Sequence, residues 1–322
     1  MAKKMSSGGS KRSSKKTVRA LTPAVRYLRY ELVNSATAGN ETSHYIDLAK
    51  DLSIVNRRLY RQGRDYYVKK ISVVSTNTPN LGNRISVATA PNSWVVKSAH
   101  KRAFKVFNEM NRQATENLSG DIAGTWADFK VYLIQEQRSA TVNLPLDNGS
   151  PANAGLAGEW AYSQLVSPDG TAAFDNFELH LLGDHVGSAG NWSSIGLVKS
   201  YGESRATVSA ADPNVPGTAS DDPLVNVFDY GTTIDDVVDD LEADNDNPPY
   251  DITNYPGDEN NMPKPLVVHD TTLVDGRATM GSFQAVCGLL EFEMHSPIAS
   301  DTFSVLVELA PGSYRGVKSE GF

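Results

Sequence analysis

Seven cations within the first twenty residues are the densest run of chemically committed side chains at the start of this sequence. Lys3, Lys4, Lys11, Arg12, Lys15, Lys16 and Arg19 stand among serines and glycines, with no acidic residue between them. Ammonium and guanidinium groups at this density suit a polyanion. Each phosphate they neutralise releases a counterion, which gives sequence-independent affinity that weakens steeply with salt. The stretch has almost no apolar side chain to bury, so it cannot offset its ordering entropy and is expected to stay a flexible arm until a polyanion binds it. Nucleic acid is the expected partner, although KRSSKK would also serve as a nuclear-localisation signal, and a membrane-surface tether or a solubilising extension would use the same letters.

Other chemistry is sparse. The sequence holds no GxxxxGK[ST] to cradle phosphates, no HExxH for zinc and no GxSxG nucleophile elbow. Cys287 is the single cysteine and sits in the apolar run AVCGLL, where a buried, inert thiol is expected because a nucleophilic one needs an electropositive, accessible setting. His180 and His185 lie close together with Glu178 and Asp184 beside them. Those side chains could ligate a transition metal, but a strand end followed by a glycine turn reads the same way. Asp235, Asp236, Asp239, Asp240, Glu242, Asp244 and Asp246 belong to a stretch from Asp229 to Glu259 with eleven acids and no Lys or Arg. They could supply hard oxygen ligands for calcium at a subunit contact, or simply form a solvent-facing surface that repels nucleic acid; the EF-hand order is absent. The expectation is a protein that is not an enzyme, with no resident cofactor and no metal beyond that calcium option.

The charge is divided along the chain. Of 322 residues, 30 are Lys or Arg and 38 are Asp or Glu, a formal net charge of −8. Residues 1–70 carry +11, however, and residues 71–322 carry −19. Partners meet local fields and not averages, so the two parts should bind different things. A single cysteine excludes a disulfide scaffold, and no apolar run approaches the ~18 residues of a membrane-spanning helix, so no membrane partner is expected. The basic N-terminus has no apolar core of the kind a secretory signal requires.

The elements that must position these residues are mostly strands. Segments rich in Val, Ile, Tyr, Phe and Thr, separated by Gly, Pro, Asn and Asp, fall at 66–75, 84–89, 128–135, 139–146, 159–167, 176–183, 194–201, 223–230, 265–274, 277–283, 285–294 and 302–310. Twelve short strands argue an all-β antiparallel sandwich or barrel. In the last of them, period-two alternation puts Phe303, Val305, Val307 and Leu309 on one face. Two helices interrupt the pattern. Leu48, Leu52, Val55 and Leu59 share a helical face within 43–60, with Thr42 or Ser43 as cap and Arg57, Arg58 and Arg61 at the end the dipole favours. Val96, Ala103, Phe107, Met110 and Ala114 define a second helix near 93–115, with Asn92 or Ser93 as cap, and Lys97, Lys101 and Lys105 make a basic stripe that is either a solvated face or a contact to an anionic neighbour. Residues 22–34 set Arg26 and Arg29 among Tyr27, Leu28 and Tyr30, which suits a short strand or a base-stacking segment. The domain plan is a largely flexible basic arm over 1–42 and a shell of strands over 43–322, with an acidic loop insertion near 229–262.

Three segments carry a resemblance to a known family. YIDLAKDLSIVNRRLYRQG (45–63), APNSWVVKSAHKRAFKVFNEMN (90–111) and CGLLEFEM with FSVLVELAPGSYRGVKSE (within 287–320) resemble capsid proteins of small single-stranded DNA viruses, mainly the circular, Rep-encoding kind found by environmental sequencing. The resemblance implies a viral jelly roll of two four-stranded sheets with Greek-key connections. It further implies self-assembly into an icosahedral shell, packaging of single-stranded DNA by the arm, a host receptor, and residence in the virion or in the host cell, including its nucleus, during assembly. Two other readings use the same strands. One is a double jelly roll, as in the major capsid proteins of tailless phages, split near 150–190. The other is a carbohydrate-binding or adhesion sandwich with Trp94, Trp126, Trp160 and Trp192 as stacking platforms.

Overall fold

The first strand among the described residues is paired with one of the last, and that pairing governs the architecture. A computed structural model describes residues 23–75, 82–116, 128–146, 160–166, 176–188, 191–203 and 265–322. In chain order the elements are β1 (Tyr27–Val33), β2 (Glu41–Asp47), α1 (Leu48–Asn56), β3 (Arg64–Ser75), β4 (Arg84–Thr89), α2 (Trp94–Thr115), β5 (Gln164–Val166), β6 (Asn176–His180), β7 (Val186–Ser188), β8 (Asn191–Gly196), α3 (Leu197–Glu203), β9 (Leu266–Thr272), β10 (Arg277–Met280), β11 (Phe283–Ala285), β12 (Leu289–His295), β13 (Thr302–Leu309), β14 (Pro311–Gly312), β15 (Gly316–Val317) and β16 (Ser319–Gly321).

Two antiparallel sheets make a β-sandwich. One runs β1-β13-β3-β10, with β11 and β16 added along the long strand β3; the other runs β2-β12-β4-β9. The alternation of side chains explains how they stack. Along β1, Leu28, Tyr30 and Leu32 point inward, and opposite them Phe303, Val305 and Val307 of β13 do the same. The second sheet answers with Ile46, Ile85, Val87, Leu290, Phe292 and Met294, all in the same apolar cluster. These rows exclude water from the space between the sheets, and each buried large side chain contributes roughly 1.5–3 kcal/mol. The outward positions are mixed: Leu306 stays 38% exposed on the other side of β13.

A second core lies on the far side of the β2-β12-β4-β9 sheet. Tyr45 and Leu289 leave that sheet on the face away from the first cluster and meet Val95, Val96, Ala99 and Ala103 of α2. Phe129, Val131 and Leu133, together with Leu179, Leu181 and Leu197, complete it. A small sheet, β5-β6-β8-β7, with β6 and β8 parallel, frames this layer.

Several expectations need correction. The arm does not extend to residue 42, because Tyr27–Val33 is a sheet strand paired over seven residues with β13. The helix expected over 43–60 begins only at Leu48; Glu41–Asp47 pairs with β12, and Asp47 takes the capping role assigned to Thr42 or Ser43. The second helix matches its expected span and is capped by Ser93, whose hydroxyl accepts from the Val96 N–H at 3.2 Å. Residues 128–135 and 139–146 form no strand; in the first, Tyr132 makes an isolated parallel bridge to His180, while the flanking N–H groups of Val131 and Leu133 go to glutamine side chains instead of extending it into a ladder. The strand expected at 194–201 stops at Gly196 and becomes α3, and that at 285–294 is broken by a turn at Val286–Gly288. Residues 223–230 and the acidic insertion at 229–262 lie outside the described residues. Strands from 27–89 pair with strands from 266–309, so the chain is not split into two tandem sandwiches near 150–190. No helix among the described residues is long and apolar enough to cross a membrane.

Phe292 is fully buried between the sheets. Phe292→Ala should destabilise the fold by about 3–5 kcal/mol, the usual range for emptying a packed aromatic site. Leu306→Ala, at an outward position of the neighbouring sheet, should cost under about 1 kcal/mol by comparison. Urea unfolding of the two variants checks the difference.

Candidate nucleic-acid interface

At Pro23 to Val25, just ahead of β1, hydrogen bonds hold the chain to the end of α1. The Pro23 carbonyl accepts from Arg58 Nη1 at 3.3 Å. Two residues on, the Val25 N–H donates to Asn56 Oδ1 at 2.7 Å, and Asn56 Nδ2 donates back to the Val25 carbonyl at 3.0 Å. The Asn56 side chain thus stands in for a strand partner. It ties the entry of β1 to the last turn of α1.

That turn is a concentration of positive charge. The helix ends at Arg57, whose backbone is left-handed with φ 50°, and exposed Arg58 and Arg61 follow. The β14–β15 hairpin brings in Arg315 from the other end of the chain. Its guanidinium donates to the Leu59 carbonyl, while Tyr60 Oη donates to the Arg315 carbonyl at 2.8 Å and the Arg61 N–H donates to Tyr314 Oη at 3.1 Å. Arg64 lies over the Tyr314 ring with Cζ 4.1 Å from its centroid, and Lys318 Nζ is 3.9 Å from the centroid of Tyr67. Such cation–π contacts orient the cationic groups while leaving their charge unneutralised.

Counter-charge is scarce here. Asp128 is 3.9 Å from Arg61, and its carboxyl, raised by burial, is pulled back down by Lys130, Arg61 and Arg315. Among the described residues, no ion pair engages Arg57, Arg58, Arg64, Arg315 or Lys318. Five exposed or half-exposed cations without a carboxylate partner make a local field that favours an anionic ligand.

A buried polar cluster holds α1 in place under this rim. Asp47 caps the helix by accepting from the N–H groups of Ala49 and Lys50 at 3.0 and 3.1 Å, and its other oxygen accepts from Gln62 Nε2 at 3.1 Å. The Gln62 amide also pairs with the backbone of Val131, donating to its carbonyl at 2.8 Å and accepting from its N–H at 2.6 Å, which stitches the second core to the first. Asp51, fully buried, accepts from Tyr30 Oη of β1 at 2.6 Å and sits 3.8 Å from Lys50 Nζ. The Lys50 ammonium thus pairs with Asp51 and also pulls on the second buried carboxylate, Asp47. Asp47 has four donors to support its charge, the Tyr162 hydroxyl at 3.5 Å being the fourth, whereas Asp51 has one hydroxyl and an oxygen, Oδ1, with no hydrogen-bond partner among the described residues. Burial accordingly pushes the Asp51 carboxyl up to about 7 against the opposing pull of Lys50 and Tyr30.

The sequence-expected site residues Lys3, Lys4, Lys11, Arg12, Lys15, Lys16 and Arg19 lie outside the described residues, as do Trp126 and the acidic tract from Asp235 to Asp246. Residues 22–34 resolve in favour of a strand, with Leu28 and Tyr30 buried and Tyr27 51% exposed. Lys97 of the basic stripe is committed to buried Asp65 at 2.9 Å, while Lys101 and Lys105 stay exposed. His180 is buried and held by Ser194 Oγ at 2.6 Å and the Asp184 carbonyl at 2.8 Å; burial lowers its pKa to about 4. Glu178 pairs with Arg138, and His185 Nδ1 takes the Gly196 N–H at 3.1 Å. No group of three or more His, Cys, Asp or Glu among the described residues is placed to hold a metal. Cys287 is fully buried, with its thiol pushed up by desolvation. The described tryptophans do not share a platform: Trp160 packs against the main core, Trp94 meets Tyr201, and Trp192 meets His185.

Sequence reading assigned Arg57, Arg58 and Arg61 to the helix dipole and passed over Arg64, Arg315 and Lys318. The spacings NRRLYRQGR (56–64) and YRGVK (314–318) were the available signal, but only the fold joins them. No family model matches the chain, no curated protein matches it in sequence, and no solved structure matches it.

The position of Asp51 makes stability depend on pH. Unfolded, this carboxyl loses its proton near its ordinary value of 3.8, whereas folded it keeps it to about 7. The folded state therefore holds more protons in that window, and stability falls as pH rises through it, by at most about 1.4 kcal/mol per pH unit. Asp51→Asn keeps an acceptor for Tyr30 and removes the ionisation. Urea midpoints between pH 4 and 8, in steps of about one pH unit, should decline less in the variant than in the parent chain.

Proposed function

We propose that this chain is a structural protein that assembles into an icosahedral viral shell on a jelly-roll sandwich and packages single-stranded DNA. The observation that carries the reading is the order of eight of the sandwich strands, those on the β1-β13-β3-β10 and β2-β12-β4-β9 paths, with the short additions β11 and β16 set aside. Counted along the chain, the first pairs with the eighth (β1 with β13), the second with the seventh (β2 with β12), the third with the sixth (β3 with β10) and the fourth with the fifth (β4 with β9), all antiparallel. One long ribbon of paired strands rolled on itself gives this order, which supports the jelly-roll reading with its two Greek keys.

The charge division supports the same reading. An N-terminal run of seven cations, Lys3 to Arg19, precedes a rim of arginines at the entry to β1, while the remainder of the chain is acidic. In a shell, the cationic face would meet genome and the sandwich would meet copies of itself. The role is structural and not catalytic, with the virion as its location.

Purified full-length protein should form uniform spherical particles by negative stain. Deleting residues 1–20 should lower the log-log salt slope of oligo(dT) binding by roughly 5, taking about 0.7 for each of seven phosphates released. A chain that remains a single subunit across concentration and salt, or a truncation that leaves the slope untouched, would overturn the corresponding half of the proposal.

A further inference from the structure

Two arginines at the root of the N-terminal stretch occupy backbone positions that favour other residues. Arg57 follows α1 with φ 50° and ψ 43°, the left-handed C-terminal position that helices most often give to glycine. Arg315 and Gly316 are the two central residues between Tyr314 and Val317, whose backbones exchange hydrogen bonds at 3.1 and 3.0 Å. Both have positive φ, 51° and 97°. Such a two-residue hairpin turn selects Asn-Gly. A left-handed backbone costs a side-chain-bearing residue roughly 1–2 kcal/mol, so backbone preference does not account for an arginine at either position.

Their positions converge. The Arg315 guanidinium donates to the carbonyl of Leu59, two residues after Arg57, and Arg58 reaches the carbonyl of Pro23 beside them. Strained residues collect where a side chain is needed at a particular place. Here the shared side chain is a guanidinium, whose planar fork matches phosphate oxygens.

We propose that Arg57 and Arg315, with Arg58 and Arg61 between them, form an ordered seat for the phosphodiester backbone of single-stranded nucleic acid, separate from the residue 1–20 cations. The opposing carboxylate is Asp128, buried and 3.9 Å from Arg61, which leaves the set net positive. The seat rests on the packaging role proposed above and refines it: bound strand is gripped at a fixed point where the N-terminal stretch enters the sandwich.

The test uses the full-length chain with Arg57→Gly, Arg315→Asn and the pair. Glycine and asparagine suit the two backbones, and the Arg57 side chain makes no hydrogen bond among the described residues, so that single variant keeps its fold. Oligo(dT) binding is followed by fluorescence anisotropy over a salt series, beside thermal unfolding and negative stain. The expected result is an unfolding temperature for Arg57→Gly equal to or above the parent's, with a salt slope lower by about 0.7, and by about 1.4 for the pair. Arg57→Lys should restore the slope. An unchanged slope in both Arg57→Gly and the pair overturns the seat. Particle formation is scored separately: particles with an unchanged slope refute the seat and leave the shell reading standing, whereas a reduced slope without particles does the reverse.

Discussion

The closure of the chain's two ends against each other is the constraint on which the remaining structure rests. β1 can be a sheet strand only because β13, some 270 residues away, supplies its partner register from Tyr27 with Glu308 to Val33 with Thr302. Three further long-range pairings nest inside it. Loop-closure entropy grows only with the logarithm of loop length, so such distant pairings are thermodynamically affordable. They are slow to find, and a chain this rich in non-local pairs is expected to fold far more slowly than a helical protein of equal size. The same closure delivers the C-terminal hairpin to the end of α1, which is why Arg315 reaches the Leu59 carbonyl two residues past Arg57.

Buried charge makes the second level of organisation. Asp47, Lys50, Asp51 and Gln62 are all within a few per cent of complete burial. An apolar cluster of similar volume would often be at least as stable, since desolvation offsets much of the attraction between buried ions. What the polar groups add is directional. Asp47 sets the first turn of α1, Tyr30 and Asp51 fix that helix to β1, and Gln62 reads the backbone of Val131 as if it were a neighbouring strand. The helix is thereby held in one orientation, with Asn56 of its last turn bonded to Val25 at the entry to β1.

Much of the sandwich was legible in the sequence, and the exceptions have physical causes. β3, β4 and β13 announce themselves by alternation and β-branched residues that satisfy both period and propensity. The start of α1 was misplaced because Tyr45 and Ile46 continue the apolar pattern of Leu48 and Leu52 while belonging to a strand; only pairing with β12 separates the two. Residues 129–134 alternate like a strand, yet only an isolated bridge from Tyr132 to His180 forms, because glutamine side chains take the N–H groups of Val131 and Leu133 on either side of it. The cationic rim was half visible in Arg57, Arg58 and Arg61. Its completion by Arg64, Arg315 and Lys318 depends on contacts across 250 residues, and the backbone strain that marks two of the arginines has no signature in composition.

The turn between β11 and β12 has a practical corollary. It carries Cys287, the sole thiol of the chain, at zero exposure within the second core. A maleimide dye cannot reach that sulfur unless the layers separate, so the rate of labelling measures how often the molecule breathes open. The native sequence thus contains its own single-site reporter of opening, with no engineered probe required.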